Sequence, residues 1–210
     1  MRTLLFLLLS GLKWGKLATT GGTMLLSIAV YAAICGWRYA AGIVVLILVH
    51  ELGHYVAARR CGLNVGAPTF IPFVGAWIEL KEQPHDAEVE AYVAMAGPLI
   101  GTIGALMVYF AGRSTDSNAL LAVAYAGLFL NLFNLLPLAP LDGGRITSII
   151  SPRIWLLGAP IMIGVMLYRP SPVLFMIALI SLPQVMRAWR YDPRSRRGAR
   201  AAESDSLLMS

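Results

Sequence analysis

Six stretches of the chain, at about residues 18–36, 39–59, 89–112, 118–138, 154–168 and 172–190, carry almost no charge. Several approach the roughly 20 apolar residues that a helix needs to cross a bilayer core of about 30 Å. Composition points the same way: 58% of the 210 residues are hydrophobic and 13% are charged, too few to cover a water-soluble domain. The expected fold is an all-α polytopic membrane protein with about six transmembrane helices.

The ends of the chain are different. The opening MRTLLFLLLSGL has an apolar run too short to span comfortably and no clear small-residue cleavage site, so residues 1–16 read as an interfacial or half-buried segment. Residues 17–190 then form the membrane domain, and residues 191–210 a basic, disordered tail. With six spans and the N-terminus inside, every Lys and Arg except Arg38, Arg113 and Arg169 falls on one side. Basic loops stay in the cytoplasm, so both termini are expected there, in a multi-pass protein of the cell membrane. This asymmetry absorbs most of the net charge of +6 without a nucleic-acid partner. Anionic lipid headgroups are the other use for the basic half of the tail. Cys35 and Cys61 fall near opposite membrane faces, which excludes a disulfide framework, and two thiols alone do not make a zinc site.

Against this background, HELGH at residues 50–54 stands out, because it spends two of the chain's three histidines at the end of an apolar run. On a helix, residues four apart share a face, so His50 and His54 can reach one metal ion with Glu51 beside it. That arrangement gives two imidazole ligands for zinc and a carboxylate that can take a proton from water. The structural alternative is a pair of buried, hydrogen-bonded histidines with Glu51 paired to Arg59 or Arg60, two or more turns away.

Catalytic zinc needs a third protein ligand and an open fourth position. Glu79, Glu82, His85, Asp86, Glu88 and Glu90 cluster between the second and third spans, where a solvated loop is the ordinary reading. Asp142 follows the apolar run LLAVAYAGLFLNLFNLLPLAPL, and a carboxylate at membrane depth calls for a cation. Asp142 could instead serve only as the N-cap of the next helix.

HELGH together with NLLPLAPLDGGR, residues 134–145, resembles the site-2 protease family of intramembrane zinc metalloproteases, peptidase family M50. That family carries HExxH on one transmembrane helix and N-x-x-P-x-x-x-L-D-G on a later one. Both patterns are complete here, in order, and Ala96-Gly97-Pro98 in the third span is also similar. The resemblance implies one zinc ion held by His50, His54 and Asp142, with Glu51 as general base. It implies that Asn134 holds substrate or stabilises the oxyanion, although an interhelical hydrogen bond would also use that asparagine. Gly143 and Gly144 fit close backbone approach at the site, and Gly143 is a further candidate for substrate contact.

NVGAPTFIPFVGAWIEL, residues 64–80, has Gly66, Pro68, Pro72 and Gly75 among β-branched and apolar residues, which predicts irregular or hairpin structure. Its position is similar to the family's membrane re-entrant β-element, where an open edge could pair with an extended substrate. A loop that merely plugs the bundle is the alternative. The implied activity is hydrolysis of peptide bonds in or beside membrane-spanning segments of protein substrates, from a site near the cytoplasmic face. Inter-span loops are too short for a PDZ or CBS domain, which suggests a compact member. Three other readings stay open: a membrane-anchored zinc protease with a glutamate ligand, a metal transporter, and a non-catalytic zinc-binding relative. Trp14, Trp37, Trp155 and Trp189 lie near span ends and read as an aromatic belt. Gly97, Gly101 and Gly104 read as close helix packing.

Overall fold

The computed structural model describes residues 2–66, 69–71, 75–77, 86–138, 140–147 and 149–190. His85, Glu79 and Glu82, the tail at 191–210 and much of the 64–80 segment lie outside them. Helices α1 (Arg2–Cys35) and α2 (Trp37–Arg60) are followed by strands β1 (Thr69–Ile71) and β2 (Gly75–Trp77). Next come α3 (Ala87–Ser114), α4 (Asn118–Asn134), the short α5 (Asp142–Thr147), α6 (Trp155–Tyr168) and α7 (Pro172–Arg190). A helix therefore lies over each of the six apolar stretches. The boundary expected at residue 16 is not marked by a break, because α1 runs as one helix of 34 residues.

Local chemistry explains where the elements start and stop. Gly36 joins α1 to α2 at φ 82°, a left-handed conformation that costs glycine little. Asp86 caps α3 by accepting a hydrogen bond from the Glu88 amide at 3.0 Å. Ser117 caps α4 in the same way through Leu120 at 3.4 Å. α4 stops at Asn134, four residues earlier than the apolar run alone suggested. Pro137 has no amide to give and disfavours a helical Leu136, so the chain turns instead. The turn is closed by Leu138 N–H to Leu136 O at 2.7 Å and Leu141 N–H to Leu138 O at 2.9 Å.

The expected irregular segment after α2 contains an antiparallel strand pair among its described residues, with Thr69 opposite Trp77 and Ile71 opposite Gly75. β1 packs on α1, and β2 on α2.

Helices α2, α3 and α4 pack mutually, α1 leans on α2, α5 sits against α3, and α6 pairs with α7. Glycines let the central helices approach closely. A Cβ at Gly53 of α2 would collide with the Ala96 carbonyl of α3, and one at Gly127 of α4 with the Leu46 side chain of α2. Apolar contacts fill the rest: Leu46, Ala105 and Val123 between α2, α3 and α4, and Leu138, Leu141 and Met162 beside α6 and α7.

The outside of this bundle is apolar. Phe110, Leu132, Leu167 and Leu179 are each more than 60% exposed. His50, Glu51, Asn131 and Asp142 are buried. A soluble monomer rarely exposes apolar side chains on this scale. Among the described residues, α2 and α3 are the two helices long and apolar enough to cross a membrane, and shorter apolar helices cover Thr19–Cys35, α4, α6 and Leu174–Trp189.

Candidate active site

The helical register of α2 sets the first half of the site. His50 and His54 lie one turn apart, their rings meeting edge to face at 4.8 Å between centroids. Leu52 points outward, 42% exposed, while Gly53 presses on the α3 backbone. The two intervening positions of HELGH thus separate an apolar outside from a tight helix crossing.

Asp142 brings the second half, as the first residue of α5. Its Oδ2 lies 3.3 Å from Nε2 of His50 and 3.3 Å from Nε2 of His54, and those two nitrogens are 3.1 Å apart. The three side chains form a cluster that could hold a metal ion. Ligand bonds of roughly 2.0–2.1 Å at a tetrahedral zinc place neighbouring ligand atoms about 3.3 Å apart, so the observed triangle fits.

Hydrogen bonding on the far side of each ring supports the fit. His54 Nδ1 lies 2.8 Å from the Val93 carbonyl of α3, which can only accept, so this nitrogen carries the proton. Its Nε2 is left as a lone pair. His50 Nδ1 lies 2.8 Å from Oδ1 of Asn131 in α4, and the amide orientation is fixed because Asn131 Nδ2 donates to the Gly127 carbonyl at 2.8 Å. His50 Nδ1 therefore donates too, and its Nε2 also offers a lone pair. Two lone pairs and a carboxylate oxygen facing one another repel unless a cation or protons lie between them. The donor set of two imidazoles and one carboxylate suits zinc.

α3 makes room for these groups. A Cβ at Gly97 would run into the His54 ring, and one at Gly101 into the Asn131 amide. These glycines, expected to serve close helix packing more than any chemistry, clear space for a candidate ligand and its support. Pro98 adds a further feature, since it removes an amide from the turn that begins at Ala94, next to the carbonyl that holds His54.

α5 is held at two points. Arg145 Nε donates to Glu90 of α3 at 3.1 Å, and the Trp155 indole N–H donates to the Gly144 carbonyl at 2.9 Å. Thr147 Oγ1 donates to the Gly143 carbonyl at 2.7 Å within the helix. Trp155 was expected in an aromatic belt, and its indole instead fixes the segment that carries Asp142. Gly143 is buried where a Cβ would strike the carbonyls of Leu135 and Leu136, so close packing accounts for the glycine.

Of the residues singled out in the sequence, the structure brings His50, His54 and Asp142 together, with Glu51 buried next to His50 on α2. Asn134 is half-buried at the end of α4 and is not among the converging groups. Asn131, one turn earlier, is the asparagine bonded to His50. Cys35 and Cys61 are free and exposed.

Comparison with known proteins agrees with this geometry. The family model for Peptidase family M50 matches residues 38–116. Rip3 of Mycobacterium tuberculosis, named as a zinc metalloprotease, is 38% identical over 128 residues, covering 55% of this chain and 32% of Rip3. A zinc metalloprotease of Methanocaldococcus jannaschii is 30% identical over 107 residues, covering 49% of this chain and 31% of that protein. The chain thus spans about a third of the length of these relatives. Among solved structures, the Site-2 Protease from Methanocaldococcus jannaschii matches with a TM-score of 0.51 at 24% identity, covering 80% of this chain and 85% of that one, which establishes a shared fold. Over residues 38–116, which include HELGH near their start, the chain is thus similar to peptidase family M50, and it shares its fold with a site-2 protease.

Proposed function

We propose that the protein is an intramembrane zinc metalloendopeptidase that hydrolyses peptide bonds within or next to the transmembrane segments of other proteins. The observation that carries this reading is the convergence of His50 Nε2, His54 Nε2 and Asp142 Oδ2 to within about 3.3 Å, with both histidines in the C-terminal half of an apolar helix. His50, His54 and Asp142 would hold the metal. When bound, zinc supplies a Lewis acid that polarises a peptide carbonyl and acidifies water.

Glu51 takes the proton from the attacking water and delivers it to the leaving amine, a role that needs a carboxylate at the site and not on the metal. Burial around Glu51 excludes bulk water, which strengthens each of these interactions. Substrates are membrane-spanning protein segments, which must unwind locally because a helix hides its peptide bonds in its own hydrogen bonds. The β1–β2 pair, packed against α1 and α2, offers strand edges to which an unwound segment could add. Asn134 and Gly143 are second-rank candidates for substrate contact; the half-exposed position of Asn134 at the end of α4 supports its role more than the packed position of Gly143 does.

The bilayer is the proposed setting, and the apolar exterior of the bundle supports it. Six helices cross or enter the membrane in this reading. Arg59, Arg60 and Arg145 then lie on the cytoplasmic side with the site, and both termini lie there as well.

The test is cleavage of a transmembrane substrate in liposomes by the wild type and by Glu51→Gln, with zinc measured in both. The reading expects zinc in both proteins and cleavage only in the wild type. Cleavage by Glu51→Gln at the wild-type rate would remove the general-base assignment, and wild type that holds zinc without cleaving would remove the protease.

A further inference from the structure

We propose that Asn131 is a positioning residue for the metal, which selects the tautomer and ring orientation of His50; the inference rests on the zinc reading above. Asn131 lies within α4, three residues before the asparagine that the sequence motif singles out. It is 2% exposed and spends both ends of its amide. Oδ1 accepts from His50 Nδ1 at 2.8 Å, and Nδ2 donates to the Gly127 carbonyl at 2.8 Å.

The second bond gives the first its meaning. A free asparagine amide could turn over and offer NH2 to the imidazole, which would demand the other tautomer and point the wrong nitrogen at the metal. The Gly127 carbonyl cannot donate, so turning the amide would set NH2 against an N–H on one side and oxygen against oxygen on the other. Asn131 is thereby locked as an acceptor. His50 must then carry its proton on Nδ1 and present Nε2 to His54 and Asp142. Gly101 of α3 supplies the space, since a Cβ there would collide with Asn131 Oδ1.

The two histidines are therefore oriented by different means. His54 is held by a main-chain carbonyl that no substitution of Val93 removes, whereas His50 depends on one replaceable side chain. Partners of this kind behind a metal-bound histidine typically change metal affinity by about 10–100-fold when removed.

The experiment measures zinc dissociation by chelator competition on the folded, detergent-solubilised fraction of wild type, Asn131→Leu, Asn131→Asp and Gly101→Ala. Asn131→Leu keeps the volume and loses the acceptor, so its zinc affinity should fall about 10–100-fold. Asn131→Asp keeps an acceptor facing Nδ1–H but loses the donor to the Gly127 carbonyl, so its zinc affinity should fall clearly less than that of Asn131→Leu. Gly101→Ala leaves the asparagine in the sequence but displaces its oxygen, and should weaken zinc in the same direction as Asn131→Leu. A purely structural asparagine would lower the thermal stability of all three variants without separating Leu from Asp in zinc affinity, and that outcome overturns the proposal.

A second measurement needs no variant. With only three histidines in the chain, 15N-histidine spectra of the zinc-loaded wild type can be assigned ring by ring. The proposal expects His50 with its proton on Nδ1 and the metal on Nε2; metal on Nδ1 overturns it even if the Asn131 variants do not fold. Wild type without zinc overturns both the inference and the metal reading, whereas zinc-loaded wild type matched by Asn131→Leu overturns the inference alone.

Discussion

The α2–α5 region and the α6–α7 pair are built from the same apolar vocabulary and do different work. In the first, buried polar residues and glycines interlock: Gly53 against the α3 backbone, Gly97 against His54, Gly101 against Asn131. In the second, contact is made mainly by large apolar side chains, with Met162 of α6 packed beside Leu138 and Leu141, and Leu174, Ile177 and Val185 of α7 around them. The site region has little freedom to adjust, since backbone and ligand atoms lie where a single methyl group would go. The α6–α7 pair reaches the site through Trp155 on the Gly144 carbonyl, Gly158 against the Pro137 carbonyl and the apolar cluster around Leu138 and Leu141. Substitutions in the first region should therefore break chemistry, and those in the second should chiefly lower stability.

The largest expected effects come from the reacting groups. Glu51→Gln should retain zinc and lose about 10²–10⁴-fold in kcat, the usual contribution of a positioned base. Rates from a liposome assay check this.

Gly97→Ala comes next. The added methyl would collide with His54 Nε2, the ligand nitrogen itself, while leaving every ligand residue in the sequence, and ligand misplacement of about 1 Å can cost around 100-fold in activity. Reduced zinc affinity in folded Gly97→Ala would sharpen the contrast between regions, and wild-type affinity would break it.

Trp155→Phe tests the link between the two regions. It keeps a ring at the start of α6 but removes the donor to the Gly144 carbonyl, worth about 1 kcal/mol or roughly fivefold. The account expects kcat to fall by up to about that factor, together with a drop of about 2–4 °C in unfolding temperature. Smallest should be Glu90→Gln, because the Glu90–Arg145 pair is about a third exposed and solvent screens it. Activity within about threefold of wild type is expected, since exposed pairs contribute little. Met162→Ala is the complementary case: the unfolding temperature should drop more than the zinc affinity of the folded protein, because Met162 is buried in the apolar cluster with Leu138 and Leu141 and not among the hydrogen-bonded groups of the site.

Much of the site was legible because it depends on short-range geometry. The four-residue spacing of His50 and His54 fixes their common face, and the isolation of Asp142 in apolar sequence marks it as a group in need of a cation. Helix positions were legible from apolar length, while their ends depended on local chemistry such as Pro137, which stops α4 at Asn134. What could not be read depends on how helices cross. Asn131 and Asn134 lie three residues apart in LNLFNLL, and only the approach of α4 to α2 decides which of them meets His50. Gly97 and Gly101 likewise resemble any small-residue stripe until the rings and amides opposite them are placed. Trp155 had the composition of a belt residue, and its donor role appears only once α5 folds back toward α6.

The central claim is that His50, His54 and Asp142 together hold one zinc ion, and zinc X-ray absorption on the purified protein beside Asp142→Ala tests it most directly. The account predicts about one zinc per wild-type chain, with nitrogen and oxygen ligands at roughly 2.0–2.1 Å that include two imidazoles, and a marked loss of zinc in Asp142→Ala. Sulfur ligands near 2.3 Å, or full zinc occupancy in Asp142→Ala, would contradict it.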